Sequence, residues 1–130
     1  MDILEYSGDG FNVIKQFGGW RIGFLKYSER FSVFNQLERH MATDESFALL
    51  NGDATLYTDL QSVKMEKCKL YNISKGEWHH IVVSKDATVI VIENSDTSAE
   101  NTEIRFLKGN AEQWELPLQS INYCVKYKEL

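Results

Sequence analysis

The chain has 130 residues and a formal charge of −5, from 14 basic and 19 acidic side chains, and 43% of its residues are hydrophobic. That content supplies a core without disulfides and excludes a disordered chain, and an acidic balance without a basic cluster argues against nucleic acid, whose binding rests on Lys and Arg neutralising phosphates. The longest apolar runs, Phe47 to Leu50 and Val89 to Ile92, are far short of a membrane span, and MDILEYSGDG lacks a leader's basic and apolar regions; the expectation is a cytoplasmic protein without a membrane partner, with Cys68 and Cys124 as reduced, buried or half-buried thiols.

Apolar residues recur with a period close to two, and no stretch carries a sustained helical stripe, which predicts an all-β fold. Residues 1–27 hold apolar side chains (Phe11, Val13, Ile14, Phe17, Trp20) that need a burial partner. Gly18-Gly19 reads as a bare turn, without the strand-to-helix context of a phosphate loop. Strands are predicted over Trp20–Tyr27, Ser32–His40, Glu45–Leu50, Ala54–Thr58, Val63–Lys67, Leu70–Ile73, Glu77–Val83, Thr88–Glu93 and Thr102–Leu107. Asn51-Gly52, between FALL and ATLYT, predicts a type I′ hairpin. Ser84-Lys85-Asp86, between HHIVV and TVIVIE, predicts a second hairpin, its apolar residues falling on both faces as in a doubly covered strand. Asp96–Glu100 fits one helical turn in a connection. Beyond Pro117, Ile121, Tyr123, Val125 and Tyr127 alternate with polar residues and lysines, which predicts an edge strand. No linker or repeat marks a domain boundary.

In a strand, residues two apart share a face, so Glu38 lies with His40 and Glu77 with His79, while His80 takes the opposite face. Glu45 opens the next strand, on the face of Phe47 and Leu49. If that face lines a small barrel, Glu38, His40, Glu45 and His79 converge inside it and Arg39, Trp78 and His80 look away. A carboxylate against an apolar wall is costly unless compensated, so Glu45 is a metal ligand, the partner of a histidine or arginine, or an acid–base group with a raised pKa. His40 and His79 are metal ligands or a hydrogen-bonded pair without metal. Glu38 is a solvated strand-end carboxylate or a further ligand, and His80 a structural or interface histidine. Trp20, Phe47, Tyr71 and Trp78 are core by default, but barrel mouths are lined by aromatics, which makes Trp78, Phe47 and Tyr71 candidates for ligand contact. Cys68 reads as packing rather than as a nucleophile.

His40-x4-Glu45-x6-Gly52 reproduces the second half of the first cupin motif, and Gly76-x2-His79 matches the centre of the second. Over roughly Phe34 to Leu107 the chain therefore resembles the cupin superfamily, in particular its small single-domain bacterial members. The resemblance implies a jelly-roll β-barrel (a double-stranded β-helix) in one domain, with the motif-bearing core at about 34–107, N-terminal strands in 1–31 and a C-terminal edge segment in 108–130. It departs from the motifs where Glu38 replaces the first histidine, Cys68 and Ser74 replace a glycine and a proline, and Val83 replaces the closing asparagine. The implied ligand set is His40, Glu45 and His79, with Glu38 as an added oxygen, for Fe, Mn, Ni or Zn. The alternative is a cupin that has given up metal and keeps the pocket. The functions implied are metal-dependent conversion of a small organic acid or sugar derivative, non-catalytic binding of a small polar ligand, or a barrel serving only as an assembly unit. Small members commonly pair through N-terminal strands, so a homodimer is expected.

Overall fold

The computed structural model describes residues 1–108, 115–118 and 123–127, the last as backbone. Its strands are β1 (Phe11–Phe17), β2 (Trp20–Lys26), β3 (Gln36–His40), β4 (Glu45–Asn51), β5 (Ala54–Thr58), β6 (Ser62–Lys64), β7 (Tyr71–Ile73), β8 (His79–Val83), β9 (Thr88–Asn94), β10 (Thr102–Leu107) and β11 (Tyr123–Tyr127), with short 3-10 turns at Glu29–Phe31 and Ala99–Asn101. They form two antiparallel sheets, in the orders β1-β2-β9-β4-β7 and β11-β10-β3-β8-β5-β6. This is the all-β jelly roll that the period-two pattern and the motifs predict. The C-terminal strand lies at a sheet edge, as expected; Ile121 lies outside the described residues.

Both expected hairpins are corrected. β4 and β5 lie in different sheets, as do β8 and β9, so Asn51-Gly52 and Ser84-Lys85-Asp86 are corners where the chain crosses from one sheet to the other. A type I′ turn needs positive φ at both central residues, whereas Gly52 has φ 74° and Asn51 is not among the residues with positive φ. The two corners hold each other instead. Ser84 N donates to Asp53 O at 2.8 Å, Asp53 N to Ser84 Oγ at 2.9 Å, and Asn51 Nδ2 to Asp86 O at 2.9 Å. Turn chemistry marks a reversal; it does not say which strand receives the chain next.

Other boundaries move for local reasons. Strand β3 begins at Gln36 rather than Ser32, because the turn at Glu29–Phe31 drives Phe31 into the core and Phe34 stacks on Tyr57 with ring centroids 4.1 Å apart. Strand β8 begins at His79 rather than Glu77, whose N–H closes a turn onto Ser74 O. Strand β9 is covered on one face rather than both, and Ile92 on its outer face is 37% exposed. Cys68 is exposed rather than buried, in a left-handed conformation (φ 66°) at a position where the motif has glycine.

The inward-facing rows explain where the site lies. Along β4 and β9, Glu45 faces Glu93, Phe47 faces Val91, and Leu49 faces Val89; along β5 and β8, Thr58 faces His79, Leu56 faces Ile81, and Ala54 faces Val83. Each row starts polar at one end of the barrel and continues apolar to the other. The apolar end is the core, where Phe47, Leu49, Leu56, Ile81, Val83 and Val89 are buried together, each contributing about 1.5–3 kcal/mol on leaving water. The polar end is closed by no such contact and holds the ionisable groups.

Candidate functional site

β3 delivers Glu38 and His40 to the polar end, β4 delivers Glu45, β8 delivers His79 and β9 delivers Glu93. Two turns fix these strands relative to one another. In the turn from β3 to β4, Asp44 accepts from Lys75 N at 2.8 Å and from Asn72 Nδ2 at 3.2 Å, and Gly76 N donates to His40 O at 2.9 Å. The segment leading into His79 is thereby bound to the segment that follows His40, which seats the two imidazoles with centroids 5.3 Å apart.

Glu45 is the hub. Its Oε2 lies 2.8 Å from His40 Nε2 and its Oε1 lies 3.6 Å from His79 Nε2. Both rings are held from behind: His40 Nδ1 is 2.8 Å from Thr102 Oγ1, and His79 Nδ1 is 3.0 Å from Glu77 O. A carbonyl only accepts, so His79 Nδ1 carries a proton and the neutral ring would direct an Nε2 lone pair at a carboxylate. That nitrogen is buried and makes no hydrogen bond. Two lone pairs facing each other call for a cation between them, either a proton on Nε2 or a metal ion.

The electrostatics follow. Burial favours the neutral forms of both His79 and Glu45, but the His40 contact and the His79 imidazole hold Glu45 well below the usual carboxylate range, and Glu45, with Glu38 and the Glu77 carbonyl, raises His79 above 6.5. Burial would likewise raise Glu38, but the Arg30 guanidinium, 2.8 Å away, and the two imidazoles bring it below its ordinary value. Burial and the Glu45 carboxylate push Glu93 up to about 7, against the opposing Arg21, whose Nη2 lies 2.7 Å from it. Glu45 and Glu93 face each other across β4 and β9, and the ionised Glu45 favours the protonated form of Glu93.

Ligand-capable atoms converge within 4.8 Å in two overlapping groups, Glu38/His40/His79 and His40/Glu45/Glu93. They border a cavity of ≈ 200 Å³ that also reaches Arg21, Arg30, Phe31 and Phe47. The structure thus brings Glu38 to His40 and His79, brings Glu45 to His40 and within 3.6 Å of His79, and places Phe47 on the cavity wall. Trp78 and Tyr71 are not part of that wall. Trp78 lies under the guanidiniums of Arg39 and Arg105, 4.5 and 4.0 Å from its ring, and the Tyr71 hydroxyl accepts from Glu66 N at 2.8 Å. His80, expected to look away, also borders the cavity. Its Nε2 is 3.1 Å from Val33 O, its ring stacks near Phe31 and Phe34, and burial pushes its pKa down to about 4, so it stays neutral.

Glu93, Arg21, Arg30 and Thr102 escaped the sequence reading. Glu93 carried a signal: Val89, Val91 and Glu93 alternate inward, so a carboxylate ends an otherwise apolar row. Arg21 and Arg30 carried none, since both reach the site through partners distant in sequence or on an irregular turn.

No family model matches the chain, and no curated protein does. Solved structures do. A cupin-2 domain containing protein from Shewanella frigidimarina NCIMB 400 is similar at 20% identity over 68% of this chain and 84% of that one, with a TM-score of 0.56. KdgF from Halomonas sp. is similar at 10% identity over 69% and 81%, with a TM-score of 0.58. The Streptomyces protein Pac13, described as a nucleoside dehydratase, is similar at 7% identity over 75% and 79%, with a TM-score of 0.57. At such identities the likeness speaks for the fold alone, and the chain has the cupin fold. Among the described residues no helix is long and apolar enough to cross a membrane.

Proposed function

We propose that this cupin-fold chain is a small-molecule enzyme in which His40, Glu45 and His79 hold one divalent transition metal, Fe, Mn, Ni or Zn, with Glu38 close enough to add an oxygen. The observation that carries the reading is the buried His79 Nε2, unpartnered and turned toward Glu45, on a ring whose Nδ1 is tied to Glu77 O. Two imidazoles fixed through Nδ1, both turning Nε2 toward one carboxylate and His79 Nε2 without a hydrogen bond, are a donor set that a borderline divalent ion takes. When bound, the ion would supply Lewis acidity and a template for a small organic acid or sugar derivative. The chain's own residues do the rest: Thr102 and the Glu77 carbonyl orient the rings, Arg21 holds Glu93, and Phe31 and Phe47 exclude water from the inner wall.

A second reading, a metal-free ligand pocket, is favoured by the direct His40 to Glu45 contact at 2.8 Å and by a Glu93 acid titrating near neutrality. The nucleoside dehydratase among the similar structures, described in complexes with uridine, makes a polar small molecule a reasonable probe for it. Elemental analysis after loading with Fe, Mn, Ni or Zn separates the two. The metal reading expects about one equivalent and its loss in His40→Ala and His79→Ala; no stoichiometric metal leaves the pocket reading.

A homodimer through β1 completes the proposal. β1 is a sheet edge, and Phe17 and Trp20 at its turn are 70% and 43% exposed.

A further inference from the structure

Two arginines reach the cavity, and they are unequally occupied. Arg21 is spent on fixed partners: its Nε and Nη2 bond Glu93 and its Nη2 also bonds Thr97 O. Arg30 reaches Glu38 through Nη2 alone, at 2.8 Å, and its side chain stays 42% exposed. It sits on the 3-10 turn Glu29–Phe31, where Phe31 plugs the core and Arg30 is left at the cavity's polar side with its Nε and Nη1 still able to donate. The charges lead the same way. The cavity is bordered by three carboxylates (Glu38, Glu45, Glu93) and two guanidiniums; with Glu93 protonated and a divalent ion at the histidines, positive charge exceeds negative. A ligand that reduces the excess is an anion. Its size is bounded by the cavity of ≈ 200 Å³, and its body meets Phe31, Phe47 and Val91, which offer no polar group.

We infer that the site takes a small monocarboxylic acid, its carboxylate on the free N–H groups of Arg30, its short apolar body against Phe31 and Phe47, and its other end toward His40, Glu45 and His79. The charge argument rests on the metal reading above; the Arg30 geometry does not. A guanidinium offers a carboxylate charge-assisted hydrogen bonds that it cannot offer the isosteric amide, and the amide therefore serves as the control.

The test titrates the full chain, loaded with Zn and read by NMR, with isobutyrate and with isobutyramide, and measures the Zn content of each sample. Isobutyrate should bind about fivefold more tightly than the amide and shift the Arg30 Nε resonance. Arg30→Gln should bring the two probes within about twofold of each other, while Arg30→Lys keeps most of the preference. A wild-type chain without acid preference, or a preference unchanged in folded Arg30→Gln, overturns the inference; the latter means that the carboxylate sits on the metal. If Arg30→Gln does not fold, the wild-type Arg30 Nε resonance decides, its shift supporting the assignment and its stillness overturning it. An Arg30-dependent preference in a chain that takes up none of Fe, Mn, Ni and Zn when loaded with each in turn sinks the metal reading and leaves Arg30 standing. Stoichiometric Zn without acid preference does the reverse.

Discussion

Glu45 lies between two imidazoles with 7% of its side chain exposed, and it acts on two ionisable neighbours above all. It holds His79 above its ordinary pKa against burial, and it pushes Glu93 up. Replacing Glu45 by Gln removes the charge but keeps the shape, so burial then acts on His79 against only Glu38 and the Glu77 carbonyl. Its pKa, followed by NMR of the ring protons, should fall, and stability should drop by about 2 kcal/mol through the lost charge-assisted contact with His40. An unmoved His79 would contradict the arrangement. Glu93 makes a pH prediction with the opposite character. Its folded pKa is raised from 4.5 to about 7, so across that window the folded chain holds a proton the unfolded chain releases, and stability falls as pH rises through it. His80 works the other way: with a folded pKa of about 4 against an ordinary 6.5, it costs stability as pH falls between those values. The two slopes partly cancel in the wild type, so the comparison isolates Glu93. Urea unfolding of Glu93→Gln and wild type at pH 5 and pH 7 should show the variant gaining on the wild type at the higher pH; parallel behaviour would place the proton elsewhere.

At the scale of elements, the corners carry most of what the strand pattern cannot specify. Gly52 sits at φ 74°, and a Cβ built there would come 2.6 Å from Ala87 Cα and 2.8 Å from Ala87 N, on the neighbouring corner. Both backbone strain and a clash with backbone follow, so Gly52→Ala should cost about 2 kcal/mol or more in urea unfolding; a cost near zero would mean that the corners are not in contact. Individual strands were readable because one face of each is buried, and Glu38, His40, Glu45 and His79 were readable because a period of two puts each on that face near a motif boundary. Which strands pair was not readable, since Asn51-Gly52 serves a corner as well as a hairpin. The same blindness hid Glu93 and Arg21. Glu93 lies 48 residues after Glu45 by numbering and faces it only because β9 inserts between β2 and β4. Trp78 is a ligand-contact candidate in the sequence only because aromatics line barrel mouths; it lies off the cavity, under Arg39 and Arg105, as alternation places it.

For the whole molecule, the barrel divides into an apolar end that supplies stability and a polar end that gathers ionisable side chains, among them Glu38, His40, Glu45, His79 and Glu93, around a cavity. The outer edge at β1 offers unpaired backbone groups beside exposed Phe17 and Trp20, and the proposed homodimer covers them. Light scattering at micromolar concentration should give about twice 15.0 kDa; a monomer mass that persists as concentration rises rejects the pairing. The account turns on the cation that the buried His79 Nε2 requires. Elemental analysis of the untagged chain after loading with Fe, Mn, Ni or Zn and exhaustive desalting measures it directly. The metal reading predicts about one equivalent per chain, lost in folded His79→Ala; the absence of stoichiometric metal under every loading condition would assign that position to a proton and contradict it.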